Sequence, residues 1–140
     1  MKVSGGIHWI IDCTPEFERT VALFRDSMGL LLAEEGIPVT DTQFTRYALL
    51  RLPDGATLEI VEPADETIRA LYASLILCFK IDNLAQARHE LSNNGAEFVT
   101  DVFHAQEHIS WTYFRAPDGH IYQIWSDAKT ADQGDTSTQQ

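Results

Sequence analysis

The segment Arg51-Leu52-Pro53-Asp54-Gly55 recurs 64 residues later as Arg115-Ala116-Pro117-Asp118-Gly119, and at the same spacing Glu59-Ile60 recurs as Gln123-Ile124. A Pro-Asp-Gly turn is common alone. Its return in register, each time just before a β-rich run, points to a duplicated unit. Ile7 to Ile11 reads as a strand, and Thr14-Pro15-Glu16 then starts a helix carrying Phe17, Val21, Phe24 and Met28 on one side. Gly29 ends that helix, and strands follow at Leu30 to Ala33, Tyr47 to Leu52 and Thr57 to Val61. The second half repeats the order. Leu75 to Ile81 is a strand, Asn83 caps a helix with Leu84, Ala87 and Leu91, and Asn94-Gly95 closes it. Strands at Phe98 to Phe103, Trp111 to Phe114 and Ile121 to Trp125 complete it. The expected fold is α+β, with two tandem βαβββ modules at about residues 7–63 and 74–126 of one domain spanning 1–128. Residues 62–73 read as a connector, and the polar run 129–140 as a tail with little to bury.

Composition narrows the partners. Ten basic against 21 acidic residues leave a formal charge of −11, which repels nucleic acid and favours a cationic ligand if it favours any. No apolar run approaches the ~18 residues of a membrane span, and no signal peptide is evident, so a soluble cytoplasmic protein is expected. Cys13 and Cys78 form no CxxC pair and read as free thiols of a reducing compartment.

His8-Trp9-Ile10-Ile11 followed by Phe24-Arg25-Asp26-Ser27-Met28-Gly29-Leu30 resembles the opening strand and helix of the vicinal oxygen chelate superfamily, the group of glyoxalases, extradiol dioxygenases and bleomycin-resistance proteins. Thr57-Leu58-Glu59-Ile60 is similar to the strand that carries a metal-binding glutamate there, and Pro117-Asp118-Gly119 to Ile124 resembles the closing strand. The resemblance covers residues 7–126. It implies curved mixed sheets around a cleft, with metal ligands drawn from one position on the first and last strand of each module. Carried over, those positions are His8, Glu59, Ile76 and Gln123. His8, Glu59 and Gln123 form a tentative metal set for Zn²⁺, Ni²⁺ or Mn²⁺, and Ile76 cannot ligate. An extradiol dioxygenase is disfavoured, because its second histidine is missing.

Two functions follow from the resemblance. One is binding of a small organic ligand in an apolar cleft without metal, similar to bleomycin-resistance proteins. The residues expected to line it are His8, Ile10, Glu59, Ile76, Cys78, Gln123 and Trp125. Strand alternation groups Ile10 and Asp12 with His8, Thr57 and Val61 with Glu59, and Trp125 with Gln123. The alternative is a glyoxalase-like, metal-dependent lyase or isomerase with Glu59 and His8 as catalytic groups. A third possibility is metal-free proton transfer by the same two residues. A homodimer is expected, since family members pair modules and open sheet edges need cover. His104 and His108 lack the HExxH order and a helix to sit on, His89 reads as a solvated residue on a charged helix face, and His120 as local turn structure.

Overall fold

A computed structural model describes residues 1–129; the part of the expected polar tail beyond Lys129 lies outside the described residues. The chain divides into two compact units. The first is Ile7–Cys78, and the second joins Met1–Gly6 to the chain from Phe79 onward.

The first unit holds β1 (Trp9–Cys13), α1 (Phe17–Ala22), β2 (Leu31–Gly36), β3 (Phe44–Arg51), β4 (Thr57–Pro63) and α2 (Glu66–Leu71), and the start of β5 (Ile76–Lys80). Its strands lie in the order β2-β3-β4-β1-β5. Only β1 and β4 run parallel, with Trp9 opposite Thr57 and Ile11 opposite Glu59. The antiparallel pairs place Leu49 opposite Glu59, and Trp9 and Ile11 opposite Cys78 and Ile76. Helix α1 passes into a π-helical segment, Leu23–Ser27, that carries the chain to Gly29 (φ +74°). Phe17 and Val21 of α1 pack on Ala48, Leu50 and Ile60, with Leu58, Leu30, Leu32 and Phe24 around them. One face of the sheet is therefore the helix-covered core.

The second unit repeats the order with α3 (Leu84–Asn93), β6 (Glu97–Phe98), β7 (Phe103–Ala105), β8 (Ile109–Arg115) and β9 (Ile121–Asp127). β8 pairs antiparallel with β9, β6 and β7. The Asn83 side chain accepts from Gln86 N, capping α3. Leu84 and Ala87 pack with Ile81, Phe114 and Ile124. Phe114 stacks on Tyr122 at 5.8 Å and meets Phe98 at 5.6 Å. The N-terminal residues join this unit because Val3 bridges Ile81 and Ser4 N donates to Lys80 O.

The two turns are the same structure. Gly55 N donates to Leu52 O at 3.0 Å and Gly119 N to Ala116 O at 2.8 Å. Asp54 Oδ1 accepts from Ala56 N, and Asp118 Oδ1 from His120 N, each at 2.9 Å. Gly55 and Gly119 hold φ of +91° and +89°. The α+β fold of two βαβββ modules is as expected. Two details differ. The single strand expected over Phe98 to Phe103 is two short ones, because Val99 N bonds Tyr113 O and the chain then leaves β8 before rejoining it at Phe103. The connector holds helix α2, whose six residues are too few for a periodic pattern, though Asp65 caps it through Ile68 N. No helix of the described residues is long and apolar enough to cross a membrane.

Candidate functional site

Glu59 is the chemically distinctive residue of the first unit. It sits in mid-β4 on the face turned away from α1, since its neighbours Leu58 and Ile60 belong to the helix-covered core. Cross-strand register brings Trp9, Ile11, Leu49, Val61, Ile76 and Cys78 to the same face. Ile11, Val61, Ile76 and Cys78 are buried, whereas Trp9, Tyr47, Leu49 and Glu59 keep part of their surface in solvent. The buried four pack as an apolar layer with almost no surface in solvent, and the half-buried others border it. The Trp9 indole N–H donates to Glu59 Oε1 at 2.9 Å.

That environment weakens Glu59 as an acid. Removal from water pushes its pKa up to about 7; the Trp9 hydrogen bond opposes the rise, and the negative charges of Asp41 and Glu34 add to it. Glu34 in turn accepts from the Tyr47 hydroxyl, which raises that phenol to about 12. Asp41 is buried and accepts from Gln43 Nε2 at 3.0 Å, while Gln43 Oε1 accepts from Tyr72. The Cys78 thiol bonds Ile76 O, and burial with the nearby Glu59 charge holds its pKa well above the ordinary thiol value. Cys13, also a free thiol, is pushed up to about 12 by burial and by Asp12, so neither cysteine is a thiolate at neutral pH.

His8 does not join this group. It precedes β1, is exposed, and contributes its carbonyl oxygen to Thr57 N at 2.8 Å. The expectation that His8 and Glu59 share a face is corrected: the alternation runs through Trp9, Ile11 and Cys13, one residue out of phase. Ile10 is corrected for the same reason, since it pairs with Leu58 on the helix-covered side. Ile76 and Cys78 do share the face of Glu59. Trp9 was missed as a site residue because the shift of one position exchanges the two faces of a strand, and nothing in a five-residue apolar run marks its phase.

Backbone hydrogen bonds correct the module alignment as well. Thr14 N donates to Val61 O at 2.9 Å, and Ile81 N to Trp125 O at 2.8 Å. Positions 61 and 125 differ by 64, which keeps Glu59 matched to Gln123. Positions 14 and 81 differ by 67, so the counterpart of Ile76 is Trp9 and not His8.

In the second unit Gln123 is buried in β9, and its Nε2 donates to the Tyr113 hydroxyl at 3.3 Å. Trp111 pairs with Trp125 and Tyr113 with Gln123, on the face away from the core residues Phe114 and Ile124. Phe103 stacks on Trp111 at 5.8 Å, and Lys80 Nζ lies 5.3 Å from the Trp125 ring centre. The remaining histidines are local. His108 Nδ1 pairs with Asp127 at 2.7 Å, His104 with Ser110 at 3.2 Å, and His120 lies 3.8 Å from Asp118. Among the described residues no group of three or more His, Cys, Asp or Glu could hold a metal ion.

Similarity to known proteins enters at the level of structure. A methylmalonyl-CoA epimerase from Mycobacterium tuberculosis is similar with a TM-score of 0.70 over 91% of both chains, at 19% identity. The chain has the vicinal oxygen chelate fold. A hypothetical protein from Bacillus halodurans (TM-score 0.69, 14% identity, 87% of this chain and 94% of that one) shares it. So does a glyoxalase/bleomycin resistance protein/dioxygenase superfamily member from Vibrio splendidus (TM-score 0.59, 13% identity, 84% and 96%). No family model matches the sequence, and no curated protein does.

The fold's resemblance implies a divalent metal, and the residues present do not fit one. The positions matched by backbone register hold Trp9, Glu59, Ile76 and Gln123. An indole N–H only donates and an isoleucine does neither, so one carboxylate and one amide remain.

Proposed function

We propose that the chain binds a small organic molecule on the Trp9–Glu59 face of its first unit, without a metal. The observation that carries this reading is Glu59 itself: a half-buried residue whose carboxyl is bonded to an indole and borders an apolar layer. Such a surface, mostly apolar with a few placed polar groups, is what small ligands occupy. Half-buried Trp9, Tyr47 and Leu49 supply apolar contact and Glu59 supplies orientation. With Glu34 and Asp41 near enough to raise its pKa, a ligand with an amine or another positive group is favoured. The titration of Glu59 near neutrality ties affinity to pH. A glyoxalase-like reaction through His8, Glu59 and Gln123 has less support, because His8 lies off the Glu59 face.

The test is a ¹H–¹⁵N NMR titration of the full chain with a library of small amines, acids and neutral aromatics, following the Trp9 indole signal. Trp9→Phe assigns that signal. Hits should be enriched in amines and should shift it. Hits that all leave it unmoved would place any ligand elsewhere.

A second reading, metal-free proton transfer, is favoured by one observation. A carboxyl with a pKa of about 7 is a usable acid and base at neutral pH. One structural neighbour is an epimerase named for methylmalonyl-CoA. Incubating methylmalonyl-CoA with the chain in D₂O should then wash deuterium into the α position, and Glu59→Gln should stop it. No exchange above the protein-free rate with wild type would exclude that substrate.

A further inference from the structure

Trp9 and Glu59 occupy adjacent strands at the two first-unit positions that backbone register matches to Ile76 and Gln123 of the second module. Glu59 could ligate a cation. Trp9 could not: its one polar atom is a donor, and that donor already points at Glu59 Oε1 from 2.9 Å. On the other side of β1, the residue directly opposite Trp9 is Cys78. Its sulfur sits among apolar residues and bonds the Ile76 carbonyl, the setting of a structural thiol and not of a metal-bound thiolate.

We infer that Trp9 stands in for a metal ligand, its indole closing the first unit's site as a hydrogen-bonded Trp9–Glu59 pair that takes up no divalent cation. The geometry gives Trp9 a double part. It is a positioning residue, fixing one oxygen of Glu59 so that the other is left for a ligand. It also sets an uncharged ring beside Glu59, where an ion would need a second ligand. The inference deepens the metal-free part of the reading above, yet it concerns cations alone and holds whether or not an organic ligand is found.

One consequence is sharp. Trp9→Phe removes the donor and adds no ligand. Trp9→His instead puts an imidazole beside the Glu59 carboxylate, two donors that zinc accepts, so that any gain in binding must run through Glu59.

Calorimetry of the reduced full chain with Zn²⁺, Ni²⁺ and Mn²⁺ tests it. Wild type and Glu59→Gln should give the same isotherm, because any weak uptake elsewhere does not involve Glu59. Trp9→His should bind Zn²⁺ at least tenfold more tightly than wild type, and adding Glu59→Gln to it should remove the gain. Wild-type binding that weakens tenfold or more in Glu59→Gln would overturn the inference. So would a folded Trp9→His protein, checked by circular dichroism, that shows no gain. If Trp9→His does not fold, the wild-type and Glu59→Gln pair decides the question alone.

Discussion

Glu59 carries a proton into the neutral range, and the sign of its effect on stability follows. Its folded pKa, about 7, lies above the ordinary 4.5, so the folded chain holds a proton that the unfolded chain gives up. Wild type therefore loses stability as pH rises from about 4.5 through about 7, by at most ~3 kcal/mol for this group. Glu59→Gln should remove that slope: compared with wild type, its urea midpoint should rise between pH 5 and pH 8. Parallel curves would mean that Glu59 ionises normally. Trp9→Phe deletes a hydrogen bond that favours the ionised carboxylate, and should cost about 1.5–3 kcal/mol at pH 8 and less at pH 5, again by urea unfolding. Glu59 was visible in the sequence because the turn repeat pins its strand to within a residue. Its partner was not. The run from Ile7 to Ile11 is apolar around one histidine, so either phase of the strand is compatible with it, and only the cross-strand register puts Trp9 on the Glu59 face.

Turns and caps made the elements legible. Two Pro-Asp-Gly turns, a helix-ending glycine in each half and Asn83 all have local chemistry that survives without knowledge of the tertiary structure. Elements without such marks were lost: α2, six residues long, and the split of β6 from β7. Because the two turns share conformation and bonds, they should respond alike. Gly55→Ala and Gly119→Ala each force an L-residue to φ near +90°, with no side-chain clash at either place, so each should cost about 1–2 kcal/mol from backbone strain alone. Thermal unfolding that shows one substitution to be neutral and the other severe would break the equivalence of the modules. Asn83→Ala, which deletes the α3 cap, should cost about 1 kcal/mol in the same assay.

At the scale of the molecule, β2 is the outer strand of the first unit. Leu31 on it is 67% exposed, and Ile37 and Val39 just beyond it are 77% and 91% exposed. An uncovered strand edge with apolar side chains invites a second copy, and a homodimer with an interface above ~1,000 Å² is the expected state. Light scattering at micromolar concentration should give twice the 15.8 kDa chain mass, and Leu31→Glu with Val39→Glu should return the monomer mass. A wild-type monomer would refute the expectation. The charge of −11 bears on the same scale, since it opposes anionic ligands at long range, but the chemistry of recognition rests on the Trp9–Glu59 face. The most direct test of that face is calorimetry of the tightest amine from the library, at pH 6 and pH 8, after exhaustive treatment with EDTA. Binding should survive the chelator, tighten several-fold at pH 8 as Glu59 ionises, and lose its pH dependence in Glu59→Gln. Binding that disappears with EDTA, or that is indifferent to Glu59, would contradict the account.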